Sequence, residues 1–252
     1  MRPPLLFVHG ASCDARVWRH GFQGYFEKQG WECISMHLPG HGGEFTEPNL
    51  HNLGLDDYAQ AIDQWVNTLS VPPVIIGHSM GGYLAQRHII EGKPASGIVL
   101  LGSVPPHGMA WELLHFMMHH PMLALRMEVT PGVGGLEDRL VRARDMLMTE
   151  DTPEEIVSQV ADILQPESSR ALRDMGLHSL PRGKISIPLM VAVGMKDRLI
   201  RPESGITMAR EYGVETHEYD EMAHMLQMEP GWEKVAFDIS EFLEEHFSLV
   251  KV

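Results

Sequence analysis

The pentapeptide Gly77-His78-Ser79-Met80-Gly81 constrains this chain more than any other stretch. It follows Pro73-Val74-Ile75-Ile76, a short apolar, β-branched run that reads as a buried strand. It precedes Tyr83-Leu84-Ala85-Gln86-Arg87-His88-Ile89-Ile90, which is compatible with a helix. A serine between two glycines at a strand-to-helix junction is the nucleophile-elbow pattern. The glycines allow a turn too tight for side chains, and the turn lifts Ser79 into the open. The bare string has little specificity: with glycine at about 7% and serine similar, it arises by chance in roughly one chain in ten of this length. Its flanks supply the weight, together with Gly82 where helix and strand cross. The competing reading is a glycine-rich turn in which Ser79 only caps the helix. An exposed serine is a poor nucleophile, so the pattern calls for a base, an acid and two oxyanion donors elsewhere in the chain.

Strand patterns recur at Leu5 to Val8, Cys33 to His37, Val74 to Gly77, Gly97 to Leu101, Pro188 to Val193 and Glu215 to Tyr219. Helix-period segments lie between them, at Asp56 to Leu69, Gly81 to Glu91, Pro202 to Tyr212 and Pro230 to Phe247. This alternation predicts an α/β fold, a mostly parallel sheet with helices on both faces. Asp56 and Asp57 suit the positive end of their helix, and Pro202 and Pro230 the first turn of theirs. From Val104 to Gly183 the alternation stops. Helical stretches near Trp111 to Met118, Leu136 to Met148, Pro153 to Leu164 and Ser168 to Met175 replace it, with Pro153 expected at the first helical position. The expected organisation is a core over 1–103 and 183–252, with an all-helical cap inserted at 104–182. The insertion carries Met109, Met117, Met118, Met122, Met127, Met146, Met148 and Met175. Methionine adapts to irregular apolar shapes, so this segment reads either as ordinary helix core or as a forgiving cap over a pocket.

The first strand runs into His9-Gly10-Ala11-Ser12, with Trp18 beyond it. An oxyanion needs backbone N–H donors; the expected pair is Met80, after the nucleophile, and Ala11, in the loop after an early strand. The acid and base should follow Ser79 in that order. Asp197 lies just past the strand Pro188 to Val193, and His224 follows Asp220-Glu221-Met222-Ala223. Both stand where α/β sheets place functional groups. A helix-capping aspartate and a surface histidine are the plain alternatives. Asp220 is a lesser candidate acid, too close in sequence to fold back onto His224. His9 precedes the nucleophile and reads as a structural loop residue. Cys13 lies near the expected site and Cys33 in a strand; neither is needed as a second nucleophile. His115, His119 and His120 share a helix spacing of four but lack a carboxylate or cysteine partner, so no metal site is expected.

These residues resemble the α/β-hydrolase family: His9-Gly10 followed by Trp18, Leu38-Pro39-Gly40-His41-Gly42, Gly77 to Gly82, Gly194 to Asp197, and Ala223-His224, in that family's order. The match spans about Leu5 to Ser103 and Gly183 to Phe247, with the insertion in the place of the family's variable cap. The likeness is nearest to small bacterial esterases and to lysophospholipase- or monoacylglycerol-lipase-like members. It implies that the leading antiparallel strands of larger members are missing. Ser79 departs from the aspartate of the haloalkane dehalogenase and epoxide hydrolase branches. Tyr83 stands where menaquinone-pathway synthases of this fold carry an arginine.

Asp plus Glu number 34 against 20 Lys plus Arg, a formal charge of -14, which argues against nucleic acid and anionic membranes as partners. There is no apolar run long enough to span a bilayer, and no signal-peptide pattern follows Met1-Arg2-Pro3-Pro4, so a cytoplasmic protein is expected. The expected activity is hydrolysis of a small hydrophobic carboxylic ester by Ser79, His224 and Asp197, with no cofactor. Thioester cleavage, C–C hydrolysis, lyase chemistry or a non-catalytic receptor of the same fold are the alternatives.

Overall fold

The structure, a computed structural model, describes residues 2–42, 50–129, 134–181 and 183–248, without the side chains of 126–129. Of the positions singled out above, Arg182 at the cap boundary and the Met127 side chain lie outside this range.

Six strands form one sheet among the described residues: β1 (Leu5–Val8), β2 (Cys33–Met36), β3 (Val74–His78), β4 (Gly97–Leu101), β5 (Leu189–Gly194) and β6 (Thr216–Tyr219). Their order is β2-β1-β3-β4-β5-β6 and every pairing is parallel. Parallel strands require crossovers, and helices supply them on both faces. The two-residue period of the strands divides the core. Leu5, Phe7, Val74, Ile76, Val99 and Leu101 point to one face, where they meet Phe22 and Phe26 of α1 (Phe22–Glu27) and Val235, Ile239 and Leu243 of α10 (Trp232–Phe247). Leu6, Val8, Ile75, Ile98 and Leu100 point to the other. There they meet α2 (Leu55–Thr68), α3 (Met80–Ile90) and α9 (Pro202–Tyr212). Each such side chain, fully buried, stabilises the fold by about 1.5–3 kcal/mol.

Among the described residues, five α-helices lie between β4 and β5: α4 (Ala110–His119), α5 (Pro121–Val129), α6 (Leu136–Arg142), α7 (Glu154–Ile163) and α8 (Ser169–Leu177). The expected single helix from Leu136 to Met148 changes pitch at Ala143, where a π-helical turn runs to Leu147. Pro153 is the N-cap of α7, one position before the first helical residue, because its ψ of 142° is extended. Pro230 is also outside its helix: Gly231 at φ 92° is left-handed and α10 starts after it. The expectations that placed both prolines in a first turn are therefore corrected. Asp57 does cap its helix, accepting the Gly54 N–H at 2.7 Å. No helix among the described residues is long and apolar enough to cross a membrane.

Candidate active site

The C-terminal ends of parallel strands share one edge of the sheet, and the sequence-predicted residues all emerge there. Ser79 follows β3 directly and has φ 53° and ψ -118°. This conformation is sparsely populated for a residue with a side chain and costs about 1–3 kcal/mol. It persists because the surroundings leave the chain no alternative. The Ser79 N–H donates to the Leu101 carbonyl, and the Ser79 carbonyl accepts from Gly82, Tyr83 and Val104. A Cβ at Gly81 would stand 2.2 Å from the Val8 carbonyl oxygen, so only glycine lets the helix start this close to β1.

Asp197 lies in the turn after β5 and His224 in the loop after β6. His224 Nδ1 is 2.7 Å from Asp197 Oδ2, with both side chains buried. The other carboxylate oxygen, Oδ1, accepts the N–H groups of Leu199 and Ile200 and so fixes the carboxylate plane. With Nδ1–H donated to the carboxylate, Nε2 is left as the basic nitrogen of the ring. Backbone packing brings the two loops together: a Cβ at Gly194 would lie 2.0 Å from the Ala223 carbonyl oxygen. Asp220, the lesser candidate acid, is exposed and is not the partner of His224.

Three groups not foreseen from the sequence hold the His224 loop. The His78 Nε2–H donates to the His224 carbonyl at 3.0 Å, and its ring centroid lies 4.7 Å from that of His224. Burial, then the neighbouring His224, keep the His78 pKa well below the ordinary histidine value, so it is a neutral donor. The Leu147 carbonyl, at the end of the π-helical turn, accepts from the N–H groups of both His224 and Met225. Glu229, 1% exposed, accepts the Ala223 N–H on Oε2 and the Thr149 N–H on Oε1, both at 2.6 Å. The sequence signal for His78 was its place inside the elbow; for Glu229 it was an acid five residues after the histidine in an apolar stretch.

The loop after β1 is equally constrained. The Leu38 N–H donates to His9 Nε2 at 3.0 Å, so Nδ1 carries the proton and donates to the Gly10 carbonyl at 2.8 Å. Burial first, then His41, push the His9 pKa down to about 4. His9 is thus the structural residue expected, a neutral brace. Cys13 Sγ also donates to the Gly10 carbonyl, at 3.2 Å. Burial pushes its thiol far up, which removes the thiolate a nucleophile would need. The Ala11 and Met80 N–H groups have no acceptor among the described residues.

Ser79, His224, His78 and Ala11 line one cavity of about 440 Å³. Its remaining walls come largely from the helices between β4 and β5, including Met109, Met146, Val160, Ile163, Leu164 and Met175. The methionines of that segment therefore divide. Met109, Met146 and Met175 face the cavity and Met148 is buried, whereas Met117, Met118 and Met122 are exposed. His115 and His119 stack at 3.9 Å on α4, and no group of three or more metal-ligating side chains occurs among the described residues. The arrangement offers a serine on a strained turn, an oriented imidazole and unengaged amides around one apolar chamber.

Known proteins of this shape include a thermophilic esterase from Thermogutta terrifontis. Its solved structure superposes with a TM-score of 0.72 at 22% identity, covering 97% of this chain and 90% of that one. A putative esterase/lipase from Mycoplasma pneumoniae is 29% identical over 85 residues, 33% of this chain and 31% of that protein. A 2-succinyl-6-hydroxy-2,4-cyclohexadiene-1-carboxylate synthase from Enterobacter sp. (strain 638) is 31% identical over 107 residues, 41% of this chain and 38% of that protein. The matched stretch thus spans about a third of the length of these curated relatives. The sequence model described as Alpha/beta hydrolase family matches residues 5–236, from β1 into the final helix. The parallel sheet, the strained serine after β3 and the loops after β5 and β6 all fall within that match, and the chain belongs to the alpha/beta hydrolase family.

Proposed function

We propose that this protein is a serine hydrolase that cleaves carboxylic esters through an acyl-enzyme on Ser79. The observation that carries the reading is the 2.7 Å bond between His224 Nδ1 and Asp197 Oδ2 beside the cavity that Ser79 lines. In the proposed reaction His224 Nε2 takes the Ser79 proton as Oγ attacks the ester carbonyl. The Ala11 and Met80 amides receive the oxyanion, and Asp197 stabilises the imidazolium. The imidazolium then protonates the leaving alcohol. A water deprotonated by the same nitrogen then attacks the acyl carbon, and as the bond to Oγ breaks the imidazolium returns its proton to Oγ, releasing the carboxylic acid and restoring Ser79. Every proton and bond in this cycle is accounted for without a cofactor.

The substrate class follows from the walls. A cavity of about 440 Å³, lined mainly by Met, Leu, Ile and Val, suits a small hydrophobic ester. The helical stretch from Val104 to Pro181 supplies much of that lining, which supports its reading as a cap on a core made of the rest of the chain.

The synthase relative supports a second reading, a lyase reaction run by the same three side chains. Tyr83 weighs against it: it stands where those synthases carry arginine, it donates its hydroxyl to the His178 carbonyl at 3.1 Å, and it is not among the residues lining the cavity. The test is hydrolysis of p-nitrophenyl esters from acetate to decanoate by wild type and Ser79→Ala. Loss of several powers of ten in turnover is expected; equal rates in the two proteins would remove the proposal.

A further inference from the structure

One buried carboxylate in the molecule has no part in the proposed cycle, yet it touches the site. Glu167 sits between α7 and α8 at 5% exposure and lines the cavity. Its Oε1 accepts the Tyr58 hydroxyl at 2.6 Å and the Ser168 N–H at 2.7 Å. Its Oε2 accepts the Ser12 N–H at 2.9 Å and forms a 3.2 Å ion-pair contact with His41 Nε2, off the line of a well-aligned hydrogen bond. One side chain therefore ties together the helical segment, the loop after β1, the loop after β2 and α2.

Ser12 is the residue after Ala11, and it too has a left-handed backbone, with φ 59°. The Ala11 N–H belongs to the first of two successive peptide units, and the second holds the other side of the same residue. The first, Gly10–Ala11, is fixed at its carbonyl end by His9 and Cys13. In a trans peptide the N–H points opposite to the carbonyl, so these two bonds aim the Ala11 N–H away from them. The second unit, Ala11–Ser12, is fixed at its N–H end by Glu167 alone. Without that bond the Ala11–Ser12 unit would lose its side-chain anchor, while the unit before it stays held by His9 and Cys13 and the unit after it by the Gln165 N–H, which donates to the Ser12 carbonyl at 2.9 Å.

We propose that Glu167 is the positioning residue of the oxyanion loop, holding the Ser12 amide so that the Ala11 N–H is set for the developing charge on a Ser79 adduct. The helical segment thereby completes the catalytic geometry as well as walling the cavity. This rests on the serine-hydrolase reading above. His41 supports the carboxylate's charge. Burial lowers its pKa, but contact with Glu167 outweighs this and raises it, and burial of Glu167 is likewise outweighed by His41, leaving that carboxyl below its ordinary value.

The experiment compares wild type, Ser79→Ala, Glu167→Gln and Tyr58→Phe on p-nitrophenyl butyrate. In Glu167→Gln one carboxylate oxygen becomes an NH2, which leaves a backbone N–H facing a donor. Tyr58→Phe loosens the same carboxylate on its Oε1 side and leaves the Ser12 bond in place. Glu167→Gln should lower kcat at least tenfold with KM within threefold of wild type, while Tyr58→Phe keeps kcat within threefold despite a lower Tm. Equal kcat losses in the two variants, or a loss confined to KM, would reduce Glu167 to a structural residue and overturn the proposal. An arm that needs no variant reads hydrogen exchange at the Ser12 amide of the wild-type protein: slow exchange is expected, and exchange at the rate of an exposed loop overturns the proposal. Failure of the underlying reading is separate: it shows as equal activity in wild type and Ser79→Ala, whatever the Ser12 amide does.

Discussion

Replacing Glu229 by glutamine probes the support of His224 without touching any group of the proposed cycle. The carboxylate is buried, and its two oxygens accept the Thr149 and Ala223 N–H groups at 2.6 Å, with the Thr152 hydroxyl at 3.3 Å. Glutamine offers one oxygen and one NH2, so one of the two backbone N–H groups must face a donor. An unsatisfied buried N–H costs about 1–3 kcal/mol. Burial pushes the Glu229 pKa up against the bonds that lower it, so removing the charge recovers part of that cost. The net loss should fall in the lower half of the range, about 1–2 kcal/mol. For a chain of this size that is a Tm lower by about 2–8 °C. If Ala223 loses its partner, His224 is displaced, and a displacement on the order of 1 Å costs up to about 100-fold in turnover. The assay pairs a thermal melt with ester kinetics. A variant with wild-type Tm and wild-type kcat would refute the idea that Glu229 braces the histidine loop.

Gly194→Ala should destabilise the fold by about 3 kcal/mol or more and lower kcat, because its Cβ would stand 2.0 Å from the Ala223 carbonyl oxygen and neither backbone can yield cheaply; a chemical-denaturation midpoint checks it. Asp197→Asn should cut kcat by about 10³–10⁴-fold while leaving the fold intact, since the amide would hold the wrong tautomer of His224; steady-state kinetics on a short-chain ester measure it. The His41–Glu167 contact predicts a pH window of stability. Glu167, lowered from 4.5, contributes fully above that value and loses its contribution as pH falls through the folded pKa; His41, raised from 6.5, contributes fully below that value and loses its contribution as pH rises through the folded pKa. The stability difference between wild type and His41→Gln should therefore be largest between pH 4.5 and 6.5, and a difference that does not vary with pH would count against the pair.

The parallel architecture was legible because strand positions 5 to 8, 74 to 77 and 97 to 101 are apolar on both faces, which only a sheet covered on two sides requires. Ser79 was legible because the elbow is local, with its glycines and its flanks contiguous in the chain. Asp197 and His224 were legible through order and strand ends rather than through their own contacts. What the sequence hid was long-range. Glu167 meets Ser12 across 155 positions, and Glu229 meets Thr149 across 80, with no periodicity to mark either pairing. The short helices Phe22–Glu27 and Pro121–Val129 escaped notice because about two and a half turns or fewer carry too few apolar repeats. The two misplaced prolines share one cause: proline fixes its own φ but not ψ, and neither the extended ψ of Pro153 nor the left-handed Gly231 after Pro230 is written in the proline itself.

The most direct test of Ser79 as nucleophile is reaction with a fluorophosphonate probe, followed by peptide mass analysis. One probe per chain, located on Ser79, and no adduct on Ser79→Ala are the expected results, with labelling strongly slowed in His224→Ala because the serine would lack its base. A wild-type protein that takes up no probe, or that takes it up equally when Ser79 is replaced, would contradict the serine mechanism at its first step.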